Sequence, residues 1–211
     1  MAKGSVIFLN GSSSSGKTTL ALALQEVLTE PFIHVALDQF RDGMPAAYRG
    51  LNSPPGTCGH AGLNVVPIHR DGVSFTDIQF GPMGLTMLKG MRRAIAALAT
   101  AANNVIIDDI IMQPDFLSDY VQVLQPFDVL FVAVRCPLAE INRREAARPG
   151  RFPGTALGHF DVVHAHGTYD VEVDTSRQTP ADCAADVVQR WRDPNHPLAF
   201  KRLAALTDLQ K

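Results

Sequence analysis

The sequence has little that would take it to a membrane, a nucleic acid or an oxidising compartment. No apolar stretch approaches the roughly 18 residues needed to span a bilayer. Lys and Arg number 19 against 21 Asp and Glu, a formal net charge of −2. That excludes the basic footprint of a nucleic-acid binder and the polybasic signal of a membrane-surface protein. Cysteine is scarce: Cys58, Cys136 and Cys183, with no C-x-x-C among them. A zinc framework or redox pair is therefore not expected, and free thiols in a reducing cytosol are. Met1-Ala2-Lys3-Gly4-Ser5 runs almost at once into an apolar segment, which leaves no room for a signal peptide. Repeats and long low-complexity segments are also missing. The expectation is a cytoplasmic protein without a nucleic-acid or membrane partner, with a homo-oligomer left open.

What is present begins at Gly11-Ser12-Ser13-Ser14-Ser15-Gly16-Lys17-Thr18, a complete G-x-x-x-x-G-K-[ST] pattern. Val6-Ile7-Phe8-Leu9 before it reads as a buried strand, and Thr19 to Leu28 after it as a helix. In that setting successive backbone N–H groups converge on an anion, and the helix N-terminus adds its positive dipole end. Lys17 would reach the β- and γ-phosphates, and Thr18 would join a Mg2+ shell. The bland alternative is a Ser/Gly-rich turn, which must match eight positions and both flanks by chance.

At 211 residues the chain is one domain, or one domain with an appendage. We read residues 1–192 as a P-loop kinase-type domain and 193–211 as a C-terminal helical tail. Strand-like runs alternate with helix-like runs, so the expected fold class is α/β. The architecture is a three-layer sandwich: a five-stranded parallel sheet, helices on both faces and a mobile lid. The further strands are Phe32 to Leu37, Asn104 to Ile107, Asp128 to Arg135 and Tyr169 to Asp174. Helices are expected over Leu85 to Ala102, Pro114 to Leu124, Leu138 to Ala147 and Pro180 to Trp191, the last capped by Thr179. Two segments rich in Gly and Pro read as irregular. Residues 41–84 are the expected acceptor-binding region, and 148–168 a flexible, basic lid.

Parallel strands gather their carboxyl ends at one edge, where ligands bind. Asp38, Asp108, Asp109 and Arg135 all fall at such ends. Val105-Ile106-Ile107-Asp108 has the form of a Walker B strand whose carboxylate holds Mg2+. Asp109 either shares that role, meets the substrate or caps a helix. Asp38, taken to end the strand next to the P-loop, could face the γ-phosphate and accept a hydroxyl proton. A solvated strand-end aspartate explains it equally well from the residues alone. Arg148 and Arg151 would neutralise charge on a transferred phosphoryl group. Arg143 and Arg144, at helical spacing with Glu140, read as a solvated face for at least one of the two. Asp174-Thr175-Ser176 could cradle an adenine or simply form a capping turn. His164-x-His166 is too small a fragment for a metal site, and His34 reads as a core residue.

These residues resemble the chloramphenicol phosphotransferase group of P-loop small-molecule kinases, similar in fold to shikimate, gluconate and adenylate kinases. The resemblance runs through Ile7 to Thr18, Leu37-Asp38, Met44-Pro45, Val105 to Asp109, Val134-Arg135-Cys136 and Arg144 to Arg148. It is most specific at Val162-Val163-His164 and at Tyr169 to Ser176. It implies transfer of a phosphoryl group from ATP, with Mg2+, to a hydroxyl of a small molecule such as an antibiotic. Its catalytic base falls on Asp38 and its lid arginines on Arg148 and Arg151, with Lys17 completing the catalytic set. The nucleotide-binding set is Gly11, Ser12, Ser13, Ser14, Ser15, Gly16, Lys17, Thr18 and Thr19, and the metal set Thr18 and Asp108. Residues 49–75 and the tail from Asp193 depart from the family pattern. A metabolic or nucleoside kinase on the same fold shares all of this but the acceptor region, where Arg41, Arg49 and Arg70 are too few for a highly anionic acceptor. A slow nucleotide switch is the reading from another class, although no Asn-Lys-x-Asp guanine motif occurs.

Overall fold

The structure, a computed structural model, describes residues 3–148, 152, 154–193, 195 and 198–208, with the backbone alone at 207 and 208. β1 (Val6–Asn10), β2 (Phe32–Ala36), β6 (Asn104–Asp109), β7 (Val129–Arg135) and β8 (Val171–Asp174) form one sheet in the order β2-β6-β1-β7-β8. All four pairings are parallel. β1 lies at the centre and is buried on both faces, which its unbroken apolar run dictates.

Alternation along the strands divides the core. Val6, Phe8, Val105, Ile107, Val129 and Phe131 face one layer, where they meet α4 (Pro82–Thr100), α5 (Pro114–Leu124) and α8 (Ala199–Asp208). Ile7, Leu9, Ile106, Leu130 and Val132 face the other, against α1 (Lys17–Val27) and α7 (Pro180–Trp191). α7 begins as the sequence predicts. Thr179 Oγ1 accepts from the Asp182 N–H, and the Asp182 carboxylate accepts from the Thr179 N–H. Among the described residues no helix is long and apolar enough to cross a membrane.

Three expectations change. The order of the strands puts β6 between β1 and β2, so Asp38 does not follow the strand adjacent to the P-loop. Long connections, not local pattern, decide which strand lies beside β1. Strand β2 also stops at Ala36, and Leu37 and Asp38 open a short helix, α2 (Leu37–Asp42). The Gln39 side chain turns back to accept from the Ala36 N–H at 3.0 Å, which starts that helix.

The third change concerns residues 41–84, which are not an irregular loop. After a 3-10 turn (Ala46–Tyr48) they form β3 (Arg49–Leu51), α3 (Cys58–Ala61), β4 (Leu63–Arg70) and β5 (Val73–Phe80). These strands make a second sheet in the order β3-β4-β5. β4 and β5 are a hairpin turned by Asp71 and Gly72, both at positive φ (53° and 77°). Asp-Gly is the residue pair that a two-residue hairpin turn favours, and it is the signal the sequence carried for this sheet. Pro67 is tolerated in β4 because β3 pairs only with Leu63 to Val65 and leaves that edge free.

α6 (Leu138–Ala146) follows β7 and leads to the lid segment. The described part of that segment is packed rather than loose. Ala156 and Val163 are fully buried, and Ala156 joins Cys136, Ile141 and Phe160 in a small apolar cluster. The Glu145 carboxylate accepts from the Ala156 N–H at 3.0 Å.

Candidate active site

The P-loop wraps from the end of β1 to the start of α1. Ser14 (φ 58°) and Gly16 (φ 99°) take the left-handed turns by which a loop of this kind forms an anion-binding concavity. Gly16 stands at the N-cap of α1 with no side chain bonded to the helix end, which leaves the first-turn N–H groups available to a ligand. The Oγ atoms of Ser14 and Ser15 are buried and lack a hydrogen-bond partner. Such orphaned hydroxyls are costly in a closed core and are natural at a site built for an anion.

Lys17 is buried, and its Nζ donates to the carbonyls of Gly11 (3.1 Å) and Ser12 (2.9 Å). It lies 3.7 Å from Asp108. The Thr18 hydroxyl donates to the other oxygen of Asp108 at 2.7 Å, and His34 Nε2 stands 3.5 Å from it. Burial works to raise the Asp108 carboxyl, but Lys17, His34 and Thr18 together hold it below its ordinary value. It is therefore an anion at neutral pH, facing Thr18.

Asp109 is different. Its two oxygens accept from the Tyr120 hydroxyl (2.6 Å) and the Ile110 N–H (2.7 Å). Burial pushes its carboxyl up and also raises the Tyr120 hydroxyl. Of the two adjacent aspartates, one looks into the site and the other into the core.

Asp38 is half exposed and 2.8 Å from Arg41. It lies on the walls of two cavities. One, about 290 Å3, is bounded by Lys17, Thr18, Asp108 and Arg148. The other, about 730 Å3, is bounded by Leu51, Leu63, Val65 and Ile78 of the second sheet and by Phe152 and Thr155 of the lid. Arg148 is exposed at the rim of the smaller cavity. Arg151 lies outside the described residues.

Several contacts were not legible beforehand. Arg143 is solvated, but Arg144 is not. Its guanidinium donates to the Thr175 carbonyl (2.8 Å) and hydroxyl (3.0 Å), and reaches the Ser15 carbonyl at 3.4 Å. The Thr175 hydroxyl in turn donates to Ser15 at 2.6 Å, so the loop after β8 braces the P-loop. Asp174 caps that loop through Ser176. Nothing in the local pattern separates Arg144 from Arg143.

The lid histidines also have places. His159 Nε2 accepts from the Ser13 N–H at 3.1 Å. His164 Nδ1 lies 2.6 Å from the Tyr169 hydroxyl, which also accepts from Asn10 Nδ2 at 2.6 Å. His166 stacks on Phe131 with ring centroids 5.2 Å apart. Among the described residues no group of three or more His, Cys, Asp and Glu is placed to hold a metal.

This site can be set against known proteins. The family model for chloramphenicol phosphotransferase-like proteins matches residues 4–192. A Mycobacterium tuberculosis protein named "putative O-phosphotransferase" is 32% identical, over 96% of this chain and 89% of its own length. Among solved structures, the M. tuberculosis APS kinase CysC in complex with AMPPNP and APS superposes with a TM-score of 0.58. It is 14% identical, over 92% of this chain and all of that one. A gluconokinase from Sinorhizobium meliloti has a TM-score of 0.54 and 15% identity, over 100% and 99% of the two chains. At these identities the likeness is one of fold, that of the P-loop kinases. With a family match over nearly the whole described core, the chain belongs to the chloramphenicol phosphotransferase-like family.

Proposed function

We propose that this protein is an O-phosphotransferase that moves the γ-phosphoryl group of ATP to a hydroxyl of a small molecule, with an antibiotic among the candidate acceptors. The observation that carries the reading is the position of Asp38, on the shared boundary of the P-loop cavity and the larger cavity beneath the second sheet. A carboxylate there can orient an acceptor hydroxyl from one side and take its proton as the oxygen bonds to phosphorus on the other.

The residues present fit a nucleotide and its cation. The orphaned hydroxyls of Ser14 and Ser15 and the uncapped start of α1 suit phosphate oxygens. Thr18 and Asp108 supply two hard oxygen donors, as Mg2+ prefers. When bound, the cation neutralises phosphate charge. Lys17 adds a fixed positive charge at the loop, and Arg148 at the rim can close over the phosphates. The loop of Asp174, Thr175 and Ser176, braced by Arg144, borders a cavity of about 220 Å3 next to Gly16 and Thr19, which suits the nucleoside end.

The large cavity supports an acceptor with an apolar body. Its walls are more apolar than polar, and its charged residues, Asp38, Arg41, Asp42 and Arg49, compensate one another. The test is a turnover screen of purified protein with ATP and Mg2+ against hydroxylated antibiotics, sugars and nucleosides, with products weighed by mass spectrometry. A product heavier by one phosphoryl group is the expected result. Tight nucleotide binding with hydrolysis, a nucleotide-dependent partner and no phosphorylated product across the panel would favour the switch reading instead.

A further inference from the structure

The proposed chemistry leaves one well-defined contact unused: a lid histidine bonded to the backbone of the P-loop. We infer that His159 is a positioning residue, whose imidazole holds the Ser13 amide so that docking of the lid on the second sheet sets the geometry of the P-loop. This inference rests on the reading of that loop as the nucleotide site.

Four observations support it. His159 is buried, its Nε2 accepts from the Ser13 N–H at 3.1 Å, and the Ser12 hydroxyl lies 3.4 Å away. Ser13 itself lines both the P-loop cavity and the acceptor cavity, so its orientation matters on both sides. The lid is anchored at the far side of His159 as well. The Thr76 N–H of β5 donates to the Gly154 carbonyl, and Gly158 lies so close to β5 that a Cβ there would sit 2.5 Å from the Thr76 carbonyl. Lid residues Phe152 and Thr155 wall the acceptor cavity. A continuous physical path therefore runs from acceptor cavity to lid to Ser13.

The protonation state is compatible. Burial, with the Lys17 charge second, lowers the His159 ring to about 4, so Nε2 is free to accept a hydrogen bond at neutral pH. An unpinned loop would spend part of its time in other conformations. Ligand affinity then falls by the fraction lost, with little effect on the rate once ligand is bound.

The experiment compares the full chain with three variants: His159→Leu, His159→Gln and Gly158→Ala. Two readouts are taken: exchange of the Ser13 amide by NMR without ligand, and the Kd of AMPPNP with Mg2+ by calorimetry. His159→Leu leaves the amide unpaired; exchange should quicken at least tenfold, and Kd should rise by about 5- to 10-fold. His159→Gln keeps an acceptor and should restore most of both. Gly158→Ala, which changes no atom of the His159 imidazole or of the P-loop but sets a Cβ against the Thr76 carbonyl, should act like His159→Leu because it pushes the lid off Thr76. With an acceptor in hand, KM for ATP should rise while kcat stays within about twofold. Wild-type exchange and affinity in His159→Leu would overturn the inference. So would a glutamine variant as impaired as the leucine one, since that outcome points to packing alone. If His159→Leu does not fold, Gly158→Ala decides. A wild-type protein that fails to bind AMPPNP would instead remove the kinase reading, and Ser13 exchange would still judge the lid contact.

Discussion

At the scale of single residues, the site divides labour between neighbours of identical chemistry. Asp108 and Asp109 differ by one position on β6, so pleating turns them to opposite sides. One is held ionised beside Lys17 and Thr18; the other is pushed toward its protonated form against Tyr120. Arg143 and Arg144 part in the same way on α6. Asp38 is the residue on which the chemical reading depends. Asp38→Asn keeps the shape of the side chain but cannot take a proton. Turnover should fall by about 10²- to 10⁴-fold, with ATP affinity within about threefold of wild type. Steady-state kinetics beside calorimetric titration check this, and near-normal turnover would sink the assignment.

At the scale of elements, the sequence was most legible where period and punctuation agreed. The central strands of the main sheet, β1 and β7 with the middle of β6, are apolar on both faces, and α5 and α7 begin and end where Pro114, Pro180 and their periodicity place them. The P-loop and the strand of Asp108 were legible because each is defined within a few consecutive residues. The second sheet was not, because β4 and β5 are half exposed, contain Pro67 and are surrounded by glycines that suggest loop. Asp71-Gly72 was the available clue. Strand order was illegible for another reason: the long stretch between β2 and β6 gives no local sign of which strand will pair with β1. The braces onto the P-loop from Thr175, Arg144 and His159 span 129 or more positions, beyond any local pattern. The hairpin makes its own prediction. Gly72 has a φ of 77° and open space around it, so Gly72→Ala pays only for backbone strain. We expect a loss of about 1 kcal/mol by urea denaturation, with nucleotide affinity unchanged.

At the scale of the whole molecule, the C-terminal helix is part of the core. Phe200 packs edge-on to Phe131 at 5.2 Å and near Phe8 at 6.1 Å, and Asp170 accepts from the Leu198 and Ala199 N–H groups at the start of α8. Phe200→Ala should cost about 3 to 5 kcal/mol in chemical denaturation, because it opens a void over the central strands. Acid should destabilise the fold steeply. Burial is the main reason that His159 is lowered to about 4, His164 to about 3 and His166 to about 4. In the unfolded chain each titrates near 6.5. Between pH 6.5 and about 4 the unfolded state therefore binds more protons than the folded one, and stability falls with pH. Asp108, held low, adds to the loss at still lower pH, while Asp109, held high, opposes it. Urea melts should show a loss of about 2 to 5 kcal/mol from pH 6.5 to 5.0; a flat profile would contradict the buried, neutral histidines.

The second sheet shares no strand with the first and is joined to it through Gly43 before and Gly81 after. It supplies much of one wall of the larger cavity and no residue to the wall of the P-loop cavity. Such an arrangement lets one part of a gene drift while the other is held fixed. A lineage could exchange residues 44–80 and meet a new acceptor without rebuilding its nucleotide half. An engineer could attempt the same graft, provided that the new insert still offers the lid a strand edge on which to rest.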